Sequence, residues 1–156
     1  MGSPTIRLME QRDIATCAAL ISGSLPWTRY GITYEGAVER LTMGLCQGTA
    51  ILVAVDGGDV LVGFVWVIPR GAFDLSGYIR WIVVSATQRG GGIGHLLLEA
   101  AEARVRQTGR DIFLICSDFN IDARRFYERH GYVQVGAIPD YVLPGVIEIV
   151  YRKRLQ

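Results

Sequence analysis

The sequence has no excess of either charge. Its 156 residues include 16 Lys and Arg against 15 Asp and Glu, which leaves a formal net charge of +1. A chain this close to neutrality has no general electrostatic attraction to nucleic acid or to an anionic membrane surface. We therefore expect partners that include neither nucleic acid nor a membrane.

Cysteine and histidine are scarce, and their positions favour neither a disulfide framework nor a metal site. The three cysteines, Cys17, Cys46 and Cys116, are odd in number and far apart, which favours reduced thiols over a disulfide framework. His95 and His130 have no Cys, Asp or Glu at the spacing of metal ligands, so no metal site is predicted. Reduced thiols, and polar first residues without the apolar segment of a signal peptide, lead us to expect a cytoplasmic protein.

Long uninterrupted hydrophobic runs are also absent. The longest apolar region, residues 50–68, is interrupted by Asp56-Gly57-Gly58-Asp59, so we expect a strand pair there and not a membrane span. No internal repeat, low-complexity tract or linker divides the chain. Residues 1–156 are therefore expected to form a single domain with a sizeable core.

Hydrophobic periodicity and turn residues predict seven strands and four helices. Strands are expected at residues 5–9, 49–55, 60–68, 73–84, 112–116, 132–138 and 146–152, and helices at residues 13–23, 34–46, 95–108 and 120–130. Thr33 is expected to cap the second helix, Pro69-Arg70-Gly71 to end the third strand, and Gly131 to end the fourth helix. This order of elements indicates an α/β arrangement.

Glycine, in contrast, is concentrated between the fourth predicted strand and the third helix. The segment Arg89-Gly90-Gly91-Gly92-Ile93-Gly94 has few side chains to keep a ligand away from its amides. The start of the following helix adds unpaired N–H donors and a partial positive charge. Residues 90–95 are thus predicted to bind a phosphate or diphosphate, although a tight turn that binds nothing is the alternative.

Two common phosphate-binding patterns do not fit this segment. In the dinucleotide pattern G-x-G-x-x-G the third glycine would fall at Leu97 or at His95, and the P-loop would need a Gly-Lys-Ser/Thr that does not follow. The segment does match R-x-x-G-x-G/A from Arg89 to Gly94. Further along, residues 120–132 match N-x-x-A-x-x-F-Y-x-x-x-G-F/Y at every defining position.

In this order and at this spacing, the two motifs resemble those of the GNAT superfamily of acetyl-CoA-dependent N-acetyltransferases. The resemblance implies a mixed, mostly antiparallel sheet of six to seven strands with about four helices. It also implies that the fourth and fifth strands splay apart, and that acetyl-CoA, the co-substrate, enters the gap. The implied reaction is direct transfer of an acetyl group to a primary amine in a ternary complex.

The resemblance also assigns residues to the coenzyme. The diphosphate would bind the glycine loop, namely Arg89, Gly90, Gly91, Gly92, Ile93, Gly94 and His95. The pantetheine arm would pair with the backbone of Ile82, Val83 and Val84, and Val83 or its neighbour would donate an N–H to the oxyanion. Asn120, which is also placed to cap its helix, would contact the arm.

Tyr127 matches the family tyrosine that gives a proton to the departing sulfur. A phenol with a pKa of about 10 can protonate a thiolate whose thiol has a pKa of about 8.5. The alternative for Tyr127 is a buried aromatic residue whose hydroxyl binds a carbonyl.

The residue that takes the proton from the amine is left open. Many relatives carry a glutamate at the position of Arg80, and an arginine stays protonated and cannot act as a base. Glu35, Asp74 and Asp118 are candidates, and so is a chain of water molecules. Arg80 could instead pair with a carboxylate of the acceptor or form a surface ion pair.

The acceptor is expected between the loops at residues 24–31 and 139–145. Trp27, Tyr30 and Tyr141 lie in these loops, where they either line the acceptor pocket or pack on the core. Few carboxylates accompany them, which favours a modest, partly apolar small-molecule or peptide amine over a polycation. Two other functions stay open: a non-catalytic acyl-CoA-binding module, and transfer of a different acyl group. Homodimers are common in the family, and the C-terminal strands are the expected interface.

Overall fold

The computed structural model describes residues 2–156, which form a seven-stranded sheet covered by helices on both faces. The strands are β1 (Thr5–Leu8), β2 (Ala50–Val55), β3 (Leu61–Ala72), β4 (Ser76–Val84), β5 (Asp111–Ser117), β6 (Val133–Pro139) and β7 (Ile147–Arg154). The helices are α1 (Ile14–Ser22), α2 (Tyr34–Cys46), α3 (Ile93–Arg106) and α4 (Ile121–Arg129). Short 3-10 turns occupy Gln11–Asp13 and Ala86–Gln88. Within the described range, no helix is both long and apolar enough to cross a membrane.

The strand order is β1-β2-β3-β4-β5-β7-β6, and β4 with β5 is the parallel pair. These two strands pair at Gly77 with Ile112 and at Tyr78 with Phe113, and then diverge. Gly77 allows α3 to pack at this junction, because a Cβ there would overlap the side chain of Val105. The predicted splay between the fourth and fifth strands is therefore confirmed.

Two apolar clusters hold the layers together, one on each face of the sheet. On the α3 face, Leu97, Ala101 and Val105 pack with residues of the sheet such as Val65 and Ile112. On the α1–α2 face, the cluster contains Ile21, Leu41, Phe64, Trp66 and Trp81. Removal of these side chains from water is the main stabilising contribution to such a fold.

A β-bulge at Arg80 changes which way β4 presents its side chains. Trp81 pairs with Trp66 and Ile79 pairs with Val67, so Arg80 has no opposite residue in β3. As a result Ile79 belongs to the cluster on the α3 face, whereas Trp81 belongs to the cluster on the α1–α2 face. The Arg80 guanidinium lies 4.5 Å from the centre of the Trp66 ring.

Pro69-Arg70-Gly71 does not end the third strand, contrary to the prediction. β3 continues to Ala72, and the turn is made by Phe73 and Asp74, which have φ angles of 58° and 55°. The ladder with β4 is irregular between Ile68 and Ala72, so the missing N–H of Pro69 costs no regular hydrogen bond. Because the turn falls at Phe73 and Asp74, β4 begins at Ser76 and not at residue 73.

The predicted helix ends are confirmed at two places. The Thr33 side chain accepts a hydrogen bond of 3.0 Å from the Gly36 amide at the start of α2. Gly131, directly after the C-cap of α4, has a φ of 87°, a conformation that favours glycine.

Candidate active site

The divergence of β4 and β5 opens a cleft of about 1040 Å³. It is lined on one side by β4, on the other by the end of β5 and by α4, and at its two ends by the glycine loop and the loop after α1. Beyond Tyr78 no strand of the described chain pairs with the β5-facing edge of β4. An extended ligand can therefore bind to the free backbone of Ile82, Val83 and Val84, which line the cleft.

The glycine loop presents backbone amides to the cleft. Gly90 and Gly92 have φ angles of 82° and 85°, and a Cβ at either position would meet open space. No residue in the range 2–156 accepts a hydrogen bond from the amides of residues 92–95 at the start of α3. Such unpaired donors at a helix N-terminus suit an anion.

Two further contacts fix the position of this loop. The Nε of Arg89 donates a hydrogen bond of 3.4 Å to the carbonyl of Val84, which closes the turn. Gly94 lies against α4, because a Cβ there would be 3.2 Å from Cζ of Phe126. Glycine at position 94 therefore lets α3 begin next to α4 at the edge of the cleft.

Tyr127 lies on α4 with its ring buried and its hydroxyl at the cleft. The residue is 7% exposed, and its ring centre is 5.9 Å from that of Tyr132 and 6.1 Å from that of Tyr151. Its hydroxyl has no hydrogen-bond partner in the part of the chain that the structure describes, yet it is not sealed from solvent. Burial raises the pKa of the Tyr127 phenol, so the hydroxyl keeps its proton at neutral pH.

Asn120 is the N-cap of α4 and also lines the cleft. Its Oδ1 accepts a hydrogen bond of 3.4 Å from the Ala123 amide, as predicted for a cap. The two N–H donors of its side chain form no hydrogen bond with residues 2–156, so they are available to a ligand.

A sequence profile of the acetyltransferase (GNAT) family matches residues 22–132. The chain belongs to this GNAT family. The match spans the glycine loop, Asn120 and Tyr127, which are the parts of the cleft described above.

Two curated relatives show similarity over part of the chain. A mycothiol acetyltransferase of Actinosynnema mirum is 34% identical over 93 residues, which are 59% of this chain and 31% of the relative. A blasticidin-S acetyltransferase of Streptomyces morookaense is 34% identical over 88 residues, which are 52% of this chain and 64% of the relative. The chain thus spans less than two thirds of the length of either protein.

The same fold is found in solved GNAT structures. An aminoglycoside 6'-N-acetyltransferase complexed with coenzyme A superimposes with a TM-score of 0.77 at 20% identity, over 96% of both chains. At this identity the similarity concerns the fold alone.

The structure brings most of the predicted site residues of this GNAT protein to one cleft. Of the proposed acceptor residues, Trp27, Tyr30 and Arg80 line it, whereas Glu35 is an exposed residue of α2 and Tyr141 is 63% exposed, and neither lines it. The other candidate bases, Asp74 and Asp118, do not line it either. In the glycine loop, Gly91 and Ile93 are not among the lining residues, and Ile93 is packed in the core.

Glu148 of β7 is a cleft residue that sequence reasoning missed. It is 2% exposed, and its Oε1 accepts hydrogen bonds of 2.6 Å from the Tyr30 hydroxyl and 3.1 Å from the Ser117 hydroxyl. Its signal in the sequence is a single carboxylate inside the apolar run 146–151. A lone acidic residue in a predicted buried strand is rare enough to merit attention.

The histidines lie together beside the glycine loop. Nε2 of His130 is 3.1 Å from Nδ1 of His95, and both residues line the cleft. Within residues 2–156 no group of three His, Cys, Asp or Glu side chains could hold a metal ion.

We predict that the two buried thiols do not react in the folded protein. Burial raises the pKa of Cys17 and of Cys116 to about 12, whereas Cys46 is exposed. At pH 8.5 the thiolate fraction of each buried cysteine is therefore roughly a thousandth of that of a free thiol. Iodoacetamide should modify Cys46 alone in the native chain and all three thiols in urea, as measured by mass spectrometry. Rapid native alkylation of Cys116 would instead identify a nucleophile in the cleft.

Proposed function

We propose that this protein transfers an acetyl group from acetyl-CoA to a primary amine by direct attack in a ternary complex. The observation that carries this proposal is the continuity of one cleft from the open amides of the glycine loop, along the free edge of β4, to the hydroxyl of Tyr127. The cleft therefore offers an anion-binding end, a backbone for an extended arm and a proton donor.

The residues present fit acetyl-CoA, which would supply an activated acetyl thioester. The amides of residues 92–95 and the turn at Gly90 would bind the diphosphate, because a Cβ at Gly90 or Gly92 would occupy the open space there. Backbone groups of Ile82, Val83 and Val84 would pair with the amides of the pantetheine arm. The free N–H donors of Asn120 would bind a carbonyl of the same arm.

The chain's own residues would assist at two points of the reaction. A backbone N–H of β4, at Val83 or its neighbour, would stabilise the negative charge that develops on the carbonyl oxygen as the amine attacks. Tyr127 would then donate its proton to the departing sulfur. Because burial raises the pKa of Tyr127, this proton is present throughout the neutral pH range.

An amine acceptor of small size is supported by the relatives and by the cleft. The two curated relatives are named for the acetylation of mycothiol and of blasticidin S. The acceptor end of the cleft carries the apolar or aromatic side chains of Leu25, Trp27, Ile32 and Val142. We therefore propose a small amine with an apolar part, in agreement with the interpretation of the sequence.

The test is a broad screen of primary amines with acetyl-CoA, in which release of the free thiol is measured. The expected result is amine-dependent thiol release, with no acetylated protein in the absence of an amine. Binding of acetyl-CoA without release in the presence of any amine would favour the alternative of a non-catalytic module. Faster thiol release from a thioester with a longer acyl chain would show that the protein transfers a different acyl group by the same mechanism.

A further inference from the structure

Glu148 carries a buried carboxylate for which the described chain provides no cation. Its hydrogen-bond donors are the neutral hydroxyls of Tyr30 and Ser117. No Lys, Arg or His nitrogen within residues 2–156 is close enough to form an ion pair with it. An ionised carboxylate at 2% exposure is costly without a cation or a full set of donors.

The donors leave one oxygen of Glu148 with capacity to accept. Tyr30 donates to Oε1 at 2.6 Å, and the single proton of Ser117 is shared between Oε1 at 3.1 Å and Oε2 at 3.3 Å. An ionised carboxylate can accept about four hydrogen bonds, so Oε2 in particular is under-used. Glu148 also lines the cleft, so a ligand bound in the cleft can donate a hydrogen bond to this oxygen.

Two of the cations that line the same cleft, Arg80 and Arg40, lie close to each other and form no ion pair with Glu148. The guanidinium of Arg80 stacks on Trp66 at 4.5 Å and on Trp81 at 5.5 Å. Burial and, after it, the nearby charge of Arg40 lower the pKa of the Arg80 guanidinium. Arg89 and Arg129 also line the cleft, and of its two carboxylates Asp122 is exposed on α4 whereas Glu148 is buried. Glu148 is therefore the buried carboxylate that attracts a cationic ligand group.

We propose that Glu148 binds the ammonium group of the acceptor and takes up the proton that the amine must lose before it attacks. This inference rests on the proposed function and names a substrate class: a primary ammonium attached to a small apolar or aromatic group. Tyr30 is a positioning residue, because its hydroxyl holds the carboxylate in place from the opposite loop.

The protons balance in this scheme. The first leaves the ammonium nitrogen for the Glu148 carboxylate, which passes it to solvent. The neutral nitrogen then forms the new bond to the acetyl carbon, and the carbon–sulfur bond breaks as sulfur receives the Tyr127 proton. The second proton of the nitrogen restores the Tyr127 phenol. The net products are an amide, a free thiol and one proton in solution.

The test compares two probes of nearly the same shape, phenethylamine and O-benzylhydroxylamine. The first is an ammonium ion at neutral pH, whereas the second is neutral because oxygen replaces the carbon next to its nitrogen. Calorimetry with the full chain saturated with CoA measures the affinity of each probe. We expect the wild type to bind phenethylamine at least tenfold more tightly than its neutral counterpart, and Glu148→Gln to remove that preference.

Three further measurements make the outcome decisive. Glu39→Gln, which removes an exposed charge of α2, should leave the preference unchanged, and Tyr30→Phe should reduce it by a few fold. Glu148→Gln should melt no lower than the wild type, whereas a carboxylate with a purely structural role would lower the melting temperature when replaced. Equal affinity of the wild type for the two probes, or a preference that survives Glu148→Gln, overturns the proposal.

Thiol release from acetyl-CoA, measured in parallel with the amine screen, separates this inference from the proposed function. If the wild type releases thiol with some amine, but Glu148→Gln keeps the wild-type preference for phenethylamine over O-benzylhydroxylamine, only the role of Glu148 is refuted. If no amine gives release, the proposed transfer is refuted, whatever the probes show.

Discussion

Replacement of Tyr127 by phenylalanine should lower kcat by roughly 100- to 1,000-fold, within the range of contributions from general acids. The ring of Tyr127 is packed between aromatic neighbours and would stay in place, so only the hydroxyl at the cleft is lost. Because this hydroxyl has no partner among the described residues, the free energy of unfolding should change by less than about 0.5 kcal/mol. The affinity for CoA, measured by calorimetry, should stay within about threefold of the wild type.

Tyr34→Phe is the matched control for this change. Tyr34 is 43% exposed at the start of α2 and does not line the cleft, so the loss of its hydroxyl should leave kcat unchanged. A Tyr127→Phe enzyme with kcat close to that of the wild type would refute the proton-donor role. A loss of CoA affinity as large as the loss of kcat would show that the hydroxyl serves binding and not chemistry.

The second large effect is expected from Gly92→Asp, which places a negative charge at the amides that precede α3. Aspartate and asparagine tolerate the left-handed conformation of Gly92 better than other side chains, so the loop should persist. Two unit charges about 5.5 Å apart at an effective dielectric constant of 20 repel by about 3 kcal/mol. CoA should therefore bind about 100-fold more weakly to Gly92→Asp, and high salt should restore part of the affinity.

Two other variants separate the effect of the aspartate charge on CoA binding from the effect of its size. Gly92→Asn adds a neutral side chain of the same size and should weaken CoA binding far less than Gly92→Asp. Gly48→Asp adds the same charge at an exposed glycine with a φ of 68° and open space around it, away from the cleft, and should have little effect. Equal losses for Asp and Asn at position 92 would show that space, and not a bound anion, explains the effect.

The fold was predictable where the signals are local. The strand–glycine–helix segment, the Thr33 cap and the turn at Gly131 depend on residues close in sequence, and each was located correctly. The extent of β3 could not be predicted in this way, because Pro69 is tolerated within the strand only where the ladder with β4 becomes irregular. The bulge at Arg80 likewise depends on how Trp66 and Trp81 pack across two strands, which a one-strand pattern does not contain.

The candidate site shows the same division. The residues assigned to the coenzyme lie in two continuous motifs or on the strand just before the first of them, and the structure places most of them along one cleft. The acceptor side is assembled from distant segments: Tyr30 and Glu148, which share a hydrogen bond, are 118 residues apart in the chain. No local pattern could show that Glu148 lies at the cleft while Glu35, a candidate base, is exposed on α2.

The strand order has a consequence for the synthesis of the protein. β7 lies between β5 and β6, and β6 pairs with no other strand of the described chain. When a ribosome has made residues up to 139, β6 has nothing to pair with, and β5 still lacks the strand that pairs with it along its whole length. β7 therefore completes the cleft in a single event: it joins β6 to the sheet, delivers the Glu148 carboxylate, and brings Tyr151 against the ring of Tyr127.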